Sequence, residues 1–257
     1  MRAACCEATV LSHESILPDI RLLRALWPDR EHAPHAGQFF TLRAWGADEA
    51  PFLSRPISVH KWEPETQTIE FLYQVIGEGT HKIAQLKTGD TFQLTGPMGN
   101  GFDVPDIVSK YKKIAVVGGG IGTAPMFQLT RELAAAGAKP DVFFGFRDTP
   151  YCMEEYRSIA NLVKVSTDTG AVGFHGFVTQ LYDPADYDVV LVCGPTVMMK
   201  NAARLCAEKG TPCFVSMEKK MACGIGACLG CTCETKGGEG KSVCKNGPVF
   251  DATEVFF

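Results

Sequence analysis

Between residues 38 and 97, apolar and polar side chains alternate in short runs, "QFFTLRAW", "PISVHKW", "TIEFLYQVI" and "TFQLTGP", separated by turn residues. Alternation with period 2, broken at such residues, predicts half-buried antiparallel strands, so residues 1–103 read as a small barrel or sandwich. From about residue 110 the period changes. "KKIAVVGGGIG" reads as a buried strand running into a glycine turn, and "TAPMFQLTRELAAAGA" carries helical spacing that stops at Gly137. "DVFFGFR", "LVKVST" and "DVVLVCGP" repeat the short apolar run, and "TVMMKNAARLCAEKG" is a second helix. Strands alternating with helices predict a parallel, doubly wound sheet over residues 104–215. After "CFVSMEKK" the pattern gives way to glycine and cysteine. The tail, residues 216–257, is too small to form a core unaided, and something other than apolar burial is expected to hold it. The expected fold is therefore multidomain, α+β and α/β: an antiparallel β-barrel, a parallel α/β domain and a small C-terminal domain. No internal repeat or long low-complexity linker interrupts it.

A chain of 257 residues, 46% hydrophobic, is long enough for two modest domains with proper cores or one large one. Its net charge of -4 is small and spread along the sequence, which argues against a nucleic-acid footprint or a basic membrane-binding face. "MRAACCEATV" lacks the apolar stretch of a signal peptide and no apolar run approaches bilayer length, so a cytoplasmic location is expected. Eleven cysteines in such a chain read as reduced thiols or metal ligands, and the odd count argues against full pairing.

Five of those cysteines fall within residues 223–244. Cys223, Cys228, Cys231 and Cys244 match the C-x4-C-x2-C...C arrangement that holds a [2Fe-2S] cluster. Such a cluster is anionic, and Gly224, Gly226 and Gly230 allow the backbone to turn N–H groups toward it. Zinc is the rival ligand, since four thiolates also suit a tetrahedral ion; zinc sites, however, usually pair their ligands as two close knuckles. No histidine follows His175, which disfavours a Rieske-type centre. Cys233 breaks the x2 spacing and reads as a packed thiol. Cys5, Cys6, Cys152, Cys206 and Cys213 lack metal-like spacing and read as small buried hydrophobes.

"SRPISV", then "YQVIGEGTHKI", then "GGGIGTAP" and a closing "CGP" stand in an order that resembles the ferredoxin-NADP reductase family of flavoproteins. The resemblance implies that Arg55, Pro56, Ile57 and Ser58 contact FAD, with Leu72, Tyr73 and Gln74 beside it and Gly79 and Thr80 on its pyrophosphate. Alone, Arg-Pro-x-Ser reads equally as a structural arginine at a strand edge. Gly118, Gly119, Gly120, Gly122 and Thr123 do not form the strict G-x-G-x-x-G fingerprint, because Thr123 stands where the last glycine belongs. A strand, a glycine turn and a helix N-terminus still offer amides to the phosphates of NAD; the plainer reading is a tight strand-to-helix turn. Cys193, Gly194 and Pro195 end a strand at the same sheet edge, and the resemblance puts Cys193 near the nicotinamide. Asp168 and Arg147 lie near strand ends where an adenosine ribose can be read; either also suits a solvated loop.

"SMEKKMACGIGACLGCTC" with "VCKNGPVFDATEV" narrows the resemblance to the electron-transfer subunits of class B, NAD-dependent dihydroorotate dehydrogenases, over essentially the whole chain. Small subunits of sulfide dehydrogenases, cytosolic hydrogenases and NADH-dependent ferredoxin:NADP oxidoreductases share the plan, which leaves the partner open. Arg-Pro-Ile-Ser also departs from the aromatic version found in some relatives, which leaves the stacking of the flavin ring open. The resemblance implies an FMN-containing dihydroorotate dehydrogenase catalytic subunit as partner, in a heterotetramer of two of each. Electrons would pass from it through [2Fe-2S] and FAD to NAD+, with no catalytic acid or base required of this chain. An independent NAD(P)H-dependent flavin or ferredoxin reductase, or a zinc-stabilised binding module, are the alternatives.

Overall fold

The computed structural model describes residues 3–29 and 31–255. Seven strands come first: β1 (Ala4–Leu17), β2 (Ile20–Leu26), β3 (Phe39–Arg43), β4 (Arg55–Ser58), β5 (Lys61–Glu63), β6 (Thr68–Gln74) and β7 (Thr91–Met98), with α1 (Glu78–Ala84) before β7. They form one antiparallel sheet in the order β4-β3-β7-β1-β2-β6-β5. β1 pairs with β7 over its first half and with β2 over its second, and register shifts at Val10/Ser12 and Ser15/Leu17 mark bulges that curl the sheet. The expected barrel is thus a curled half-barrel whose edge strands β4 and β5 share no ladder. Trp27, Phe40, Leu42, Phe71, Tyr73 and Leu94 fill its interior. Ile20, Leu22 and Leu72 point the other way yet are also buried, because the second domain covers that face.

After α2 (Val104–Lys110) come β8 (Ile114–Gly119), α3 (Ala124–Ala135), β9 (Asp141–Phe146), α4 (Met153–Arg157), β10 (Leu162–Thr167) and β11 (Phe174–His175). β12 (Val189–Cys193), α5 (Thr196–Lys209) and β13 (Cys213–Ser216) follow. Their sheet runs β11-β10-β9-β8-β12-β13, all parallel. Strand order reverses between β8 and β12, so the carboxyl ends of these two strands flank a switch point. Helix α3 grips the half-barrel. The Arg131 guanidinium donates to the Trp62 carbonyl at 2.9 Å and pairs with Glu63 at 3.0 Å, while Glu132 accepts from the Ala36 amide at 2.8 Å.

The tail adds a hairpin, β14 (Thr232–Glu234) and β15 (Gly240–Ser242), then α6 (Val243–Asn246) and β16 (Val249–Asp251). β16 returns to the sheet antiparallel to β13, pairing Val215 with Phe250. Val243, Phe250, Ala252 and Val255 are buried with Met199 and Ala202 of α5. Apolar burial therefore helps to hold the tail, contrary to expectation, because the tail borrows a face of the neighbouring sheet. No helix among the described residues is long and apolar enough to cross a membrane.

Candidate functional site

A cavity of about 250 Å³ opens where half-barrel, sheet domain and tail meet. Arg55, Pro56, Ile57 and Ser58 of β4, Leu72, Tyr73 and Gln74 of β6, and Thr80 of α1 line one side. Ile121, Ala124 and Pro125, at the start of α3, form the second wall. The third comes from Ser216–Lys219, Met221 and Pro248. Gly79 does not line the cavity but packs under Arg55: a Cβ there would come within 2.9 Å of the guanidinium carbon. Thr80 has a structural task as well. Its hydroxyl donates to the Gly77 carbonyl at 2.9 Å and accepts from the amides of Ile76 and Gly77, capping α1. Tyr73 donates its hydroxyl to His13 Nε2 at 2.9 Å, since His13 Nδ1 must carry the hydrogen given to the Leu86 carbonyl. Of the cations grouped around the Trp45 ring, Arg55, 5.8 Å from its centre, lines the cavity and can meet an anionic ligand; the Arg43 guanidinium is spent on the carbonyls of Trp45, Gly46, Ala47 and Phe52, and Lys82 pairs with Glu49 at 3.0 Å.

A second cleft, about 370 Å³, lies at the switch point. Gly119, Gly120, Pro195, Asp168 and Arg147 line it, as does Ser166, whose buried hydroxyl has no partner. Gly118, Gly122, Thr123, Cys193 and Gly194 build the turns behind it. Gly122 must be glycine, because a Cβ would stand 2.5 Å from the Gly194 Cα and 2.6 Å from the Cys193 carbonyl oxygen. Thr123 donates its hydroxyl to the Gly120 carbonyl at 2.9 Å, closing the turn. Burial pushes the Cys193 thiol well above its ordinary range, with Glu218 adding and Ser216 pulling back, so the thiol is neutral. Glu218 was not singled out in the sequence, where it shows no periodicity. Desolvation raises its carboxyl, and it lines the first cavity beside the cleft. A larger cleft, about 680 Å³, lies between α5 and the tail and holds none of the expected residues.

The four spaced cysteines come as two pairs. Cys231 and Cys244 are buried with their sulfurs 3.2 Å apart, and Cys223 hydrogen-bonds with Cys228. Backbone amides surround these sulfurs: Gly226 donates to Cys244 at 3.1 Å, Cys228 to Cys223, Gly230 to Cys228 and Cys244 to Cys231, each of the last three at 3.4 Å. Gly226, at φ +79°, and Gly224, at φ +69°, adopt the left-handed backbone expected of them. Leu229 takes that conformation in place of Gly230, at φ +60°. Desolvation pushes the Cys223 thiol up, but the amides of Cys228, Ile225 and Ala227 and the Cys228 side chain outweigh it and bring the thiol down to about 6. Burial and the Cys231 neighbour push Cys244 up to about 12. Among the described residues no three metal-ligating side chains converge on one ion. Two pairs of thiols suit two irons, each taking two thiolates, better than one tetrahedral zinc. Cys233 is turned away, its thiol donating to the Lys241 carbonyl at 3.3 Å. Cys206 and Cys213 are buried as expected, whereas Cys5 is exposed on β1, its sulfur accepting from Gln93 and Thr95.

The family model described as the iron-sulfur cluster binding domain of dihydroorotate dehydrogenase B matches residues 218–256. The electron transfer subunit of dihydroorotate dehydrogenase B (NAD(+)) from Clostridium acetobutylicum is 46% identical over 219 residues, 85% of each chain. The subunit of the same description from Caldanaerobacter subterraneus subsp. tengcongensis is 39% identical over 256 residues, 98% of each chain. The solved structure of an NADH-dependent reduced ferredoxin-NADP oxidoreductase superposes with a TM-score of 0.86 at 28% identity, covering 97% of this chain and 89% of that one. A ferredoxin NADP+ reductase from Neisseria gonorrhoeae shares the fold, with a TM-score of 0.62 at 17% identity, covering 85% of this chain and 95% of that one. With identity of this order sustained over nearly its whole length, the chain belongs to the family of electron transfer subunits of dihydroorotate dehydrogenase B (NAD(+)).

Proposed function

We propose that the chain holds FAD, a [2Fe-2S] cluster and NAD(H), and carries electrons from a dihydroorotate-oxidising partner to NAD+. The observation that carries this reading is the shared wall of the first cavity. Ala124 and Pro125 follow directly on the turn that borders the second cleft, and Met221 stands two residues before Cys223, which is at most about 7 Å of chain. Bound FAD supplies the exchange between the paired electrons of a nicotinamide and the single electrons of a cluster.

On this reading, residues 1–103 hold the flavin, 104–215 the nucleotide and 216–257 the cluster. Arg55, Pro56, Ile57, Ser58, Leu72, Tyr73 and Gln74 embrace FAD. Gly79 makes room for the Arg55 cation beside the pyrophosphate, and Thr80 shapes the helix turn whose first amides lack intrahelical acceptors. Gly118, Gly119, Gly120, Gly122 and Thr123, with Cys193, Gly194 and Pro195, set the nicotinamide nucleotide at the switch point, and Asp168 accepts from its ribose. Cys223, Cys228, Cys231 and Cys244 ligate the irons. The substrate site lies on an FMN-containing catalytic subunit, two copies of which join two of this chain in the cytoplasm.

The purified chain is expected to be coloured, to release FAD on acid treatment and to reduce artificial dyes with NADH. It should show no dihydroorotate-dependent NAD+ reduction until the FMN subunit is co-expressed. A colourless zinc protein, or one releasing FMN alone, would overturn the cofactor reading. Dihydroorotate oxidation by the chain alone would overturn the partner reading.

A further inference from the structure

His60 belongs to neither cofactor wall, yet it joins them. It stands two residues past Ser58, the end of the flavin-facing strand, and is fully buried. Its own amide donates to the Glu70 carbonyl at 2.9 Å, which ties it to β6, the other flavin-facing strand. Its side chain crosses to the sheet domain. Nδ1 lies 2.7 Å from the Ala124 carbonyl oxygen, and the ring stacks on Phe127 at 5.0 Å and 25°. A carbonyl only accepts, so Nδ1 carries the hydrogen and Nε2 is left as a bare acceptor. Nε2 is buried with no partner, an arrangement that natural cores avoid unless it serves something. The next carbonyl back, that of Thr123, is braced by the Tyr156 hydroxyl at 2.8 Å. The junction between the glycine turn and α3 is therefore clamped twice, once from its own domain and once from the half-barrel.

We propose that His60 is a positioning residue for hydride exchange, its Nδ1–H bond to Ala124 fixing the gap between the flavin strands and the nicotinamide turn. This rests on the cofactor reading given above. Ala124 and Pro125 line the flavin cavity while Gly119 and Gly120 line the nucleotide cleft, so a shift at Ala124 changes the approach of one ligand to the other. Burial holds the imidazole neutral, down to about 4, which keeps this single-donor arrangement intact across the physiological range. Misplacing reacting groups by about 1 Å costs on the order of 100-fold in rate.

The test uses the holoprotein under anaerobic conditions and follows one hydride passing from NADH to oxidised FAD, which leaves NAD+ and the reduced flavin anion. His60→Asn keeps a donor at the same bond count from Cα as Nδ1, whereas His60→Gln moves it one bond further and His60→Phe removes it. In His60→Gln and His60→Phe the saturating rate of flavin bleaching is expected to fall by about 10-fold or more, with half-saturation by NADH little changed. His60→Asn is expected to retain the native rate. The Asn/Gln comparison decides the matter even if His60→Phe loses its flavin. A native rate in His60→Gln, or equal slowing in His60→Asn and His60→Gln, overturns the proposal. If the native protein bound no FAD or was not bleached by NADH, the cofactor reading itself would fall, and this proposal with it.

Discussion

Replacing Gly122 with alanine tests the switch point directly. The added Cβ would stand 2.5 Å from the Gly194 Cα, 2.6 Å from the Cys193 carbonyl oxygen and 2.6 Å from the Gly194 amide nitrogen. All three are backbone atoms at the end of β12, so no change of rotamer relieves the overlap. Comfortable contact begins near about 3.5 Å, which requires the two turns to part by about 1 Å. Overpacking of this kind costs about 1–3 kcal/mol of stability. Because the same turns frame the nucleotide cleft, the displacement should also lower kcat/KM for NADH-driven dye reduction by about 10- to 100-fold. Gly137→Ala is the control. Gly137 follows α3 at φ +85° with nothing within 4 Å of its would-be Cβ, so alanine there meets backbone strain of about 1 kcal/mol and no clash. Urea unfolding followed by circular dichroism, together with steady-state kinetics on both variants, separates the two effects: both lose stability and only Gly122→Ala loses rate. Native kcat/KM in Gly122→Ala would refute the link between this backbone contact and nicotinamide placement.

Serine at Cys223, Cys228, Cys231 or Cys244 should each abolish or severely lower bound iron, while Cys233→Ser keeps it; iron retained in Cys228→Ser would sink the ligand assignment. Glu132 is half-buried, and desolvation raises its carboxyl against the pull of Gln128 and the Ala36 amide. A folded pKa above the unfolded one means that the folded state holds the extra proton, so this group's contribution to stability falls as pH rises through the folded value. Glu132→Gln keeps the accepting oxygen, and native stability relative to the variant should decline as pH rises above the ordinary carboxylate range; a pH-independent difference would contradict the assignment. Asp168→Ser should raise the NADPH/NADH ratio of kcat/KM by about 10-fold, since a carboxylate repels a 2'-phosphate and Arg147 lines the same cleft; an unchanged ratio would show that Asp168 does not read the ribose.

Much of the fold was legible because each signal is local. Alternation marks β7, the glycine stop at Gly137 coincides with a left-handed residue just past α3, and the run into "GGGIG" is β8. What was not legible depends on distant partners. Residues 69–73 of β6 are all buried, which no period-2 pattern announces, because Ile69, Phe71 and Tyr73 face the half-barrel interior while Leu72 faces the second domain. The return of β16 to the sheet was likewise hidden, since "PVFDA" is too short to carry a period and its partner β13 lies more than thirty residues earlier.

At the site, residue type was a better guide to where ligands sit than to what each side chain does. Arg55–Ser58 and Leu72–Gln74 do share one cavity, but Thr80 spends its hydroxyl on a helix cap and Gly79 serves the packing of Arg55. Glu218, Met221 and Pro248 close the same cavity from the tail, and no spacing rule announces which tail residues fold back onto a strand some 160 positions earlier. The cysteines mark the limit from the other side. Their x4, x2 spacing favours a two-iron cluster but leaves zinc in play, because spacing says which thiols are neighbours along the chain and not how they group in space. Grouping is what distinguishes the two metals. A lone zinc draws four sulfurs into one shell, whereas the amides of Gly226 and Cys228 here hold sulfurs of two separate pairs. One pair is buried against the sheet domain while Cys228 of the other is exposed, so a cluster spanning both pairs would have an inner edge toward the protein and an outer edge open to a partner.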